Sequence, residues 1–127
     1  YEINNIPFFD DYAHHPTEIS SVLEGVRKVY KKEKIICIFQ PHRISRLKYL
    51  KIEFSKCFIK SNVVILCPIY KAGENIKLGF SYTKFAQSIA KNSKVEIILI
   101  NPSFFFVNRY LNAIFLSSGV INLVFYS

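Results

Sequence analysis

Apolar runs alternate along the chain with segments whose apolar positions recur at helical spacing. Ile6 to Phe9 is a short run that predicts a strand. Ile19, Val22, Leu23, Val26 and Tyr30 then follow a 3.6-residue period, with Pro16 near the first helical position and Glu18 in the first turn. Lys28, Lys31 and Lys32 fall at the far end, where the helix dipole favours cations. Ile35 to Phe39 is a continuous apolar run, as expected of a strand covered on both faces. A second helix is predicted through Leu47, Leu50, Phe54 and Phe58, and a second buried strand over Val63 to Cys67. Tyr82, Phe85, Ala86 and Ile89 mark a third helix, and Val95 to Ile100 a third buried strand. Pro102 opens a short helix through Tyr110, and Ala113 to Leu116 and Val120 to Phe125 are candidate final strands.

Strands separated by helices of this length imply βαβ units and a mainly parallel sheet, so the predicted class is α/β. Right-handed crossovers then place helices on both faces. Ligands of such sheets bind beyond the carboxyl ends of the strands, so the chemistry belongs in the loops that follow them.

Composition narrows this picture. At 127 residues the chain predicts one domain, large enough to bury a core without disulfides or a structural metal. Half the residues are apolar, which excludes a disordered or low-complexity class. Four scattered glycines, Gly25, Gly73, Gly79 and Gly119, exclude a glycine-rich phosphate loop. The formal charge of +8 points to an anionic partner or to the lysine-rich bias of an AT-rich genome. Cys37, Cys57 and Cys67 are odd in number, widely spaced and set in apolar runs, which suits reduced core thiols and offers no metal-ligand spacing. No leader of charged, apolar and then small residues opens the chain, so no signal peptide is expected. The uncharged stretch from Tyr110 to Ser127 is broken by Asn, Ser and Gly, and reads as a buried strand with its flanks, not a membrane span.

Three post-strand loops are rich in chemistry. The first, Asp10 to Glu18, places two carboxylates, two imidazoles and a phenol within six residues. Carboxylates suit ribose hydroxyls, and Tyr and His rings offer flat faces for a base; capping of the following helix explains some of the same residues. The second, Phe39 to Arg46, holds Arg43 and Arg46 three apart in a helix's first turn, with His42 beside them. Cations oppose the dipole there, so an anion such as a carboxylate or phosphate is the expected ligand. The third, Ile69 to Glu74, has Gly73 for a tight turn and Glu74, which either orients an arginine of the second loop or belongs to a turn with no other role.

DDYAHHPTEI (Asp10 to Ile19), FQPHRISR (Phe39 to Arg46) and IYKAGE (Ile69 to Glu74), in this order and separation, resemble the C-terminal domain of the Mur ligase family, most closely its alanine-adding branch. The resemblance covers at least residues 5 to 80. It implies a Rossmann-like three-layer domain with a mixed, mostly parallel sheet of about six strands. It also implies a bacterial, cytoplasmic reaction of peptidoglycan synthesis, in which ATP and Mg²⁺ serve to join UDP-N-acetylmuramate to L-alanine through an acyl phosphate. The first loop would lie against the adenosine half of ATP, which implicates Asp11, Tyr12 and His14. The second would face the amino acid and the reacting phosphates, which implicates His42, Arg43 and Arg46. Magnesium, the UDP-sugar and most phosphate contacts would belong to two further family domains that these residues do not contain, so the isolated chain is expected to be inactive. Where relatives carry a Gly-Ala-Gly-Asp-Ile turn, this sequence reads Ser117 to Ile121, which leaves the elements after Tyr110 open. A murein tripeptide recycling ligase resembles the first motif but lacks the FQPHR form. A small basic protein that binds nucleic acid or an anionic membrane would explain the charge, yet Lys and Arg are spread along every predicted helix, with no nucleic-acid motif. A folded remnant without activity, an excised domain and a split protein all share this pattern.

Overall fold

The computed structural model describes residues 1–70, 72–74 and 79–100, the backbone of 120–125 and the side chain of Phe125. A hairpin precedes the first expected element: β1 (Glu2–Ile3) pairs antiparallel with β2 (Ile6–Asp11). Its turn is Asn4-Asn5, with φ of 52° and 63°. A two-residue hairpin turn demands two positive φ angles, which Asn tolerates. β2 runs past the apolar residues, so Asp10 and Asp11 are strand residues and the first loop begins at Tyr12.

Helix α1 (Pro16–Val29) follows, with Ile19 and Leu23 wholly buried. It ends two residues before Lys31. The Arg27 guanidinium holds that end by donating to the carbonyls of Tyr30 (3.0 Å) and Glu33 (2.8 Å). After β3 (Lys34–Phe39), the single helix expected through Phe58 is two short ones, α2 (Ile44–Tyr49) and α3 (Lys51–Lys56). Leu50 breaks the run with φ of −110° and ψ of 28°. Backbone bonds from Leu50 N to Arg46 O and from Phe54 N to Leu50 O carry the chain across the break. Leu47, Phe54 and Phe58 stay on one apolar face, each fully buried. β4 (Val63–Leu66), α4 (Tyr82–Ser93), β5 (Glu96–Leu99) and β6 (Val120–Phe125) complete the described elements. β5 has half-buried Ile97 and Ile98 between exposed Glu96 and Leu99, and is not the fully buried strand its apolar run predicts. The helix expected over 102–110 and the strand expected over 113–116 lie outside the described residues.

The strands lie in the order β1-β2-β6-β3-β4-β5. Every pairing after the first hairpin is parallel, so the α/β class with a parallel sheet holds. β6 is inserted between β2 and β3, with Val124 opposite both Asp10 and Ile38. The carboxyl ends of β2, β6, β3 and β4 therefore stand side by side, and Gln40 N–H donates to Phe125 O at 3.1 Å just beyond them.

Side chains alternate across the sheet. Ile35, Cys37, Phe39, Val64 and Leu66 meet residues of α1, α2, α3 and α4 in the larger core. Ile36, Val63 and Ile65 point the other way and pack with Ile6 and Phe8. Among the described residues, all four helices contribute to the first core and none to the second. The expectation of helices on both faces is met there on one face only. Phe39 sits in an aromatic cluster with Phe54 (ring centroids 5.7 Å apart) and Phe58 (5.3 Å), directly beneath the second loop. Full burial of each such side chain stabilises the fold by about 1.5–3 kcal/mol, which makes this end of the sheet a rigid base for the loops above it.

Candidate active site

The first loop is organised by its own neighbours. Asp11 Oδ1 accepts from Ala13 N–H at 2.8 Å, an Asx-type turn that lifts the chain off the strand. His15 is the N-cap of α1: its Nδ1 accepts from Thr17 N–H at 3.3 Å, while the Glu18 carboxylate accepts from His14 and His15 N–H, each at 3.1 Å. This is a reciprocal capping box with imidazole in the place of a hydroxyl. Hydrogen bonds from His15 and then His14 hold the Glu18 carboxyl below its ordinary value. Capping thus claims His15 and Glu18. Tyr12 and His14 remain as an edge-to-face pair with centroids 5.6 Å apart, and the Tyr12 ring is 66% exposed. His14 Nδ1 lies 3.1 Å from Tyr12 O.

The second and third loops are built against each other. Beyond the ends of β3 and β4, Cys67 N–H donates to Phe39 O (2.8 Å), Tyr70 N–H to Pro41 O (2.8 Å) and Arg43 N–H to Tyr70 O (2.9 Å). His42 and Tyr70 form an isolated parallel bridge, and their rings stack at 5.3 Å with a 30° interplanar angle. Glu74 accepts from the Ser45 N–H at 3.2 Å and from the Ser45 hydroxyl. These bonds, from the Ser45 hydroxyl first, hold the Glu74 carboxyl low. Among the described residues no ion pair joins Glu74 directly to Arg43 or Arg46; its direct partner is Ser45, and the nearby charge of Arg43 adds a smaller lowering of the Glu74 carboxyl. Its chemistry goes to the first turn of α2, whose N-cap makes no side-chain hydrogen bond of its own.

Arg43 and Arg46 do not share the first helical turn. Arg43 is the N-cap, with φ of 63° and ψ of 127°, and Arg46 is the third residue of α2. A non-glycine residue at such φ costs on the order of 1–3 kcal/mol, offset here by the bond from Arg43 N–H to Tyr70 O. Arg43 is exposed and Arg46 half-buried. Arg46 Nη1 lies 3.4 Å from His42 Nδ1. Arginine only donates, so Nδ1 accepts, which puts the proton of the neutral ring on Nε2. Partial burial, then Arg46 and Arg43, hold the His42 imidazole below its ordinary value, which keeps it neutral. Smaller effects from His14, which lowers it, and Glu74, which raises it, follow.

The structure therefore brings His42, Arg43 and Arg46 together beside Tyr70, with Asp11 at the end of β2, separated from β3 by β6, and Tyr12 and His14 in the loop that follows β2. Tyr70 and Ser45 are the participants that sequence pattern missed. Both sit inside the motifs, but nothing in spacing says that a tyrosine 28 positions on stacks on a histidine. The cysteines stay outside the site: burial pushes Cys37 and Cys57 upward and Cys67 to about 11, so all three are protonated thiols.

A model of the Mur ligase, glutamate ligase domain, matches residues 1–104. The chain belongs to the Mur ligase family. The UDP-N-acetylmuramate–L-alanine ligase of Pelagibacter ubique is 62% identical over 108 residues, which are 85% of this chain and 23% of that enzyme. The solved UDP-N-acetylmuramate–alanine ligase of Thermotoga maritima superposes with a TM-score of 0.66 at 26% identity, over 96% of this chain and 23% of that one. A murein peptide ligase from Psychrobacter arcticus shares the fold, with a TM-score of 0.68 at 17% identity over 98% of this chain and 25% of that one. The chain spans under a quarter of the length of its alanine-ligase relatives, and its three Mur ligase loops face one edge of the sheet.

Proposed function

We propose that residues 1–127 form a single Rossmann-like, three-layer C-terminal domain of a UDP-N-acetylmuramate–L-alanine ligase, which binds the amino acid and closes over ATP in the cytoplasm. One observation carries this reading: a neutral histidine and two arginines are held at the carboxyl ends of a parallel sheet, one arginine in a strained backbone conformation. Strain of that kind is retained where geometry serves a ligand.

In this reaction the lactyl carboxylate takes the γ-phosphoryl group of ATP and releases ADP. The amine of L-alanine then attacks the acyl carbon, loses a proton and expels phosphate. Arg43 and Arg46 hold the alanine carboxylate and offset the negative charge that grows on the tetrahedral carbon's oxygens and the leaving phosphate. His42, with its Nδ1 on Arg46, presents Nε2–H to the amino acid. Positioning dominates, because the acyl phosphate is already activated. At the end of β2, Asp11 accepts from ribose hydroxyls with the carboxylate oxygen that does not bind Ala13, and in the loop beyond it the Tyr12 and His14 rings line the base.

Among the described residues no three His, Cys, Asp or Glu side chains converge, whereas magnesium needs near-octahedral oxygen ligands. We assign magnesium to the phosphate-binding domain expected of the full ligase, and the UDP-sugar to that ligase's other expected domain.

The test is a graft in which the 108 matched residues of this sequence replace their counterparts in the Pelagibacter ubique ligase. Phosphate release that depends on both L-alanine and UDP-N-acetylmuramate, within about tenfold of the parent, is expected. A soluble, folded graft with no alanine-dependent turnover would overturn the assignment.

A further inference from the structure

The third loop has no assigned role, yet four hydrogen bonds tie it to the second: Tyr70 N–H to Pro41 O, Arg43 N–H to Tyr70 O, and the Ser45 N–H and hydroxyl to Glu74. From the geometry we infer that Glu74 and Tyr70 are positioning residues, which act through Ser45 and His42 to fix the direction of Arg43 and Arg46. The inference deepens the proposed ligase reading and takes its functional meaning from it; the latch itself stands without it.

Three observations support the latch. Tyr70 is bonded at both backbone ends, accepting from Arg43 N–H and donating to Pro41 O, so its main chain brackets His42. Its ring covers one face of the His42 imidazole. Four residues later, Glu74 grips Ser45 through both the backbone N–H and the hydroxyl, one position before Arg46. Residues 41–46 are thus pinned at Pro41, His42, Arg43 and Ser45 by a segment about 30 positions away in sequence. Arg43 has the left-handed φ between two of those pins. Left alone, a non-glycine residue relaxes to negative φ, which would turn its side chain away from the arrangement seen here. Gly73, at φ of 81°, and Ala72, at φ of 51°, give the turn that swings Glu74 back over α2.

The experiment uses the 127-residue chain labelled with ¹⁵N and ¹³C, in four forms: wild type, Ser45→Ala, Glu74→Gln and Ser45→Thr. Backbone order parameters of 41–46 are expected to fall below about 0.6 in Ser45→Ala and Glu74→Gln. The His42 ring resonances should shift in the same two variants, and Ser45→Thr, which keeps the hydroxyl, should restore both. Unchanged order and unchanged His42 resonances in both variants would overturn the latch, as would Ser45→Thr behaving like Ser45→Ala. The kinetic arm uses the active graft: KM for L-alanine should rise about tenfold in Ser45→Ala and Glu74→Gln while kcat changes less than about threefold. Wild-type KM in a graft whose residues 41–46 have lost order would refute the positioning role and leave the ligase assignment standing.

Discussion

The two halves of the site use the same residue types in opposite ways. In the first loop, the side-chain hydrogen bonds among the described residues join positions at most four apart: Asp11 to Ala13, His15 to Thr17, Glu18 to His14 and His15. In the second, the contacts that shape the backbone cross about 30 positions, from Glu74 to Ser45 and from Tyr70 to Arg43 and Pro41. A carboxylate depressed by hydrogen bonds sits in each, Glu18 as a capping-box acid and Glu74 as an interloop tie. The first loop is therefore a self-contained helix start that presents two rings. The second has its shape only when the third is in place.

The comparison breaks first if the cores beneath the loops are unequal. Leu23→Ala under the first loop and Leu47→Ala under the second, both fully buried, should each lower unfolding free energy by about 2–5 kcal/mol in denaturant titrations. A loss well below that range at one site would show that one half of the site lacks a rigid base.

A smaller and more specific effect belongs to Arg43. Arg43→Gly removes the steric objection to its φ, so stability should be unchanged or higher by up to about 1 kcal/mol while alanine-dependent turnover of the graft collapses. A clear loss of stability would mean that the arginine side chain, not the backbone bond to Tyr70, holds the loop.

The carboxylates sharpen the contrast further. Each has a folded value below the ordinary 4.5, so its contribution to stability is complete above that pH and is lost as pH falls through the folded value. Melting curves of Glu18→Gln and Glu74→Gln should therefore converge on the wild type toward low pH. Hydrogen exchange should separate the two, with lost protection confined to the start of α1 for Glu18→Gln but spread over 41–46 for Glu74→Gln. Identical exchange patterns would erase the distinction between local cap and interloop tie.

The smallest effect is at His42. Its folded value lies below the ordinary 6.5, so its contribution is complete above that pH and shrinks as pH falls from 6.5 toward the folded value. In an NMR titration His42 should protonate below 6.5, and Arg46→Ala should move its midpoint back up. An unmoved midpoint would show that Arg46 does not contribute to it.

Much of this was legible in the sequence because it rests on local chemistry. The helical periods of α1 and α4, the apolar runs of β3 and β4, and the motif residues at strand ends all follow from side-chain pattern. The placement of β6 between β2 and β3 was not legible, because parallel pairing is made by backbone and joins residues over 80 positions apart. Asp10 and Asp11 read as loop because they are polar, yet β6 gives their backbone a partner regardless of side chain. The break at Leu50 leaves the apolar period intact on both sides, so periodicity does not reveal it. For the site, Arg43 and Arg46 were visible as cations where a helix begins. What Glu74 binds was not, since a carboxylate after a strand suits an arginine as well as a serine.

The most direct test of the account is the Michaelis constant for L-alanine in the ligase graft carrying Arg43→Ala, measured by phosphate release under saturating ATP and UDP-N-acetylmuramate. If Arg43 grips the amino-acid carboxylate, KM should rise by about 100-fold, the loss expected of one charge-assisted bidentate contact. A KM within about twofold of the unsubstituted graft would contradict the claim that this loop binds the amino acid.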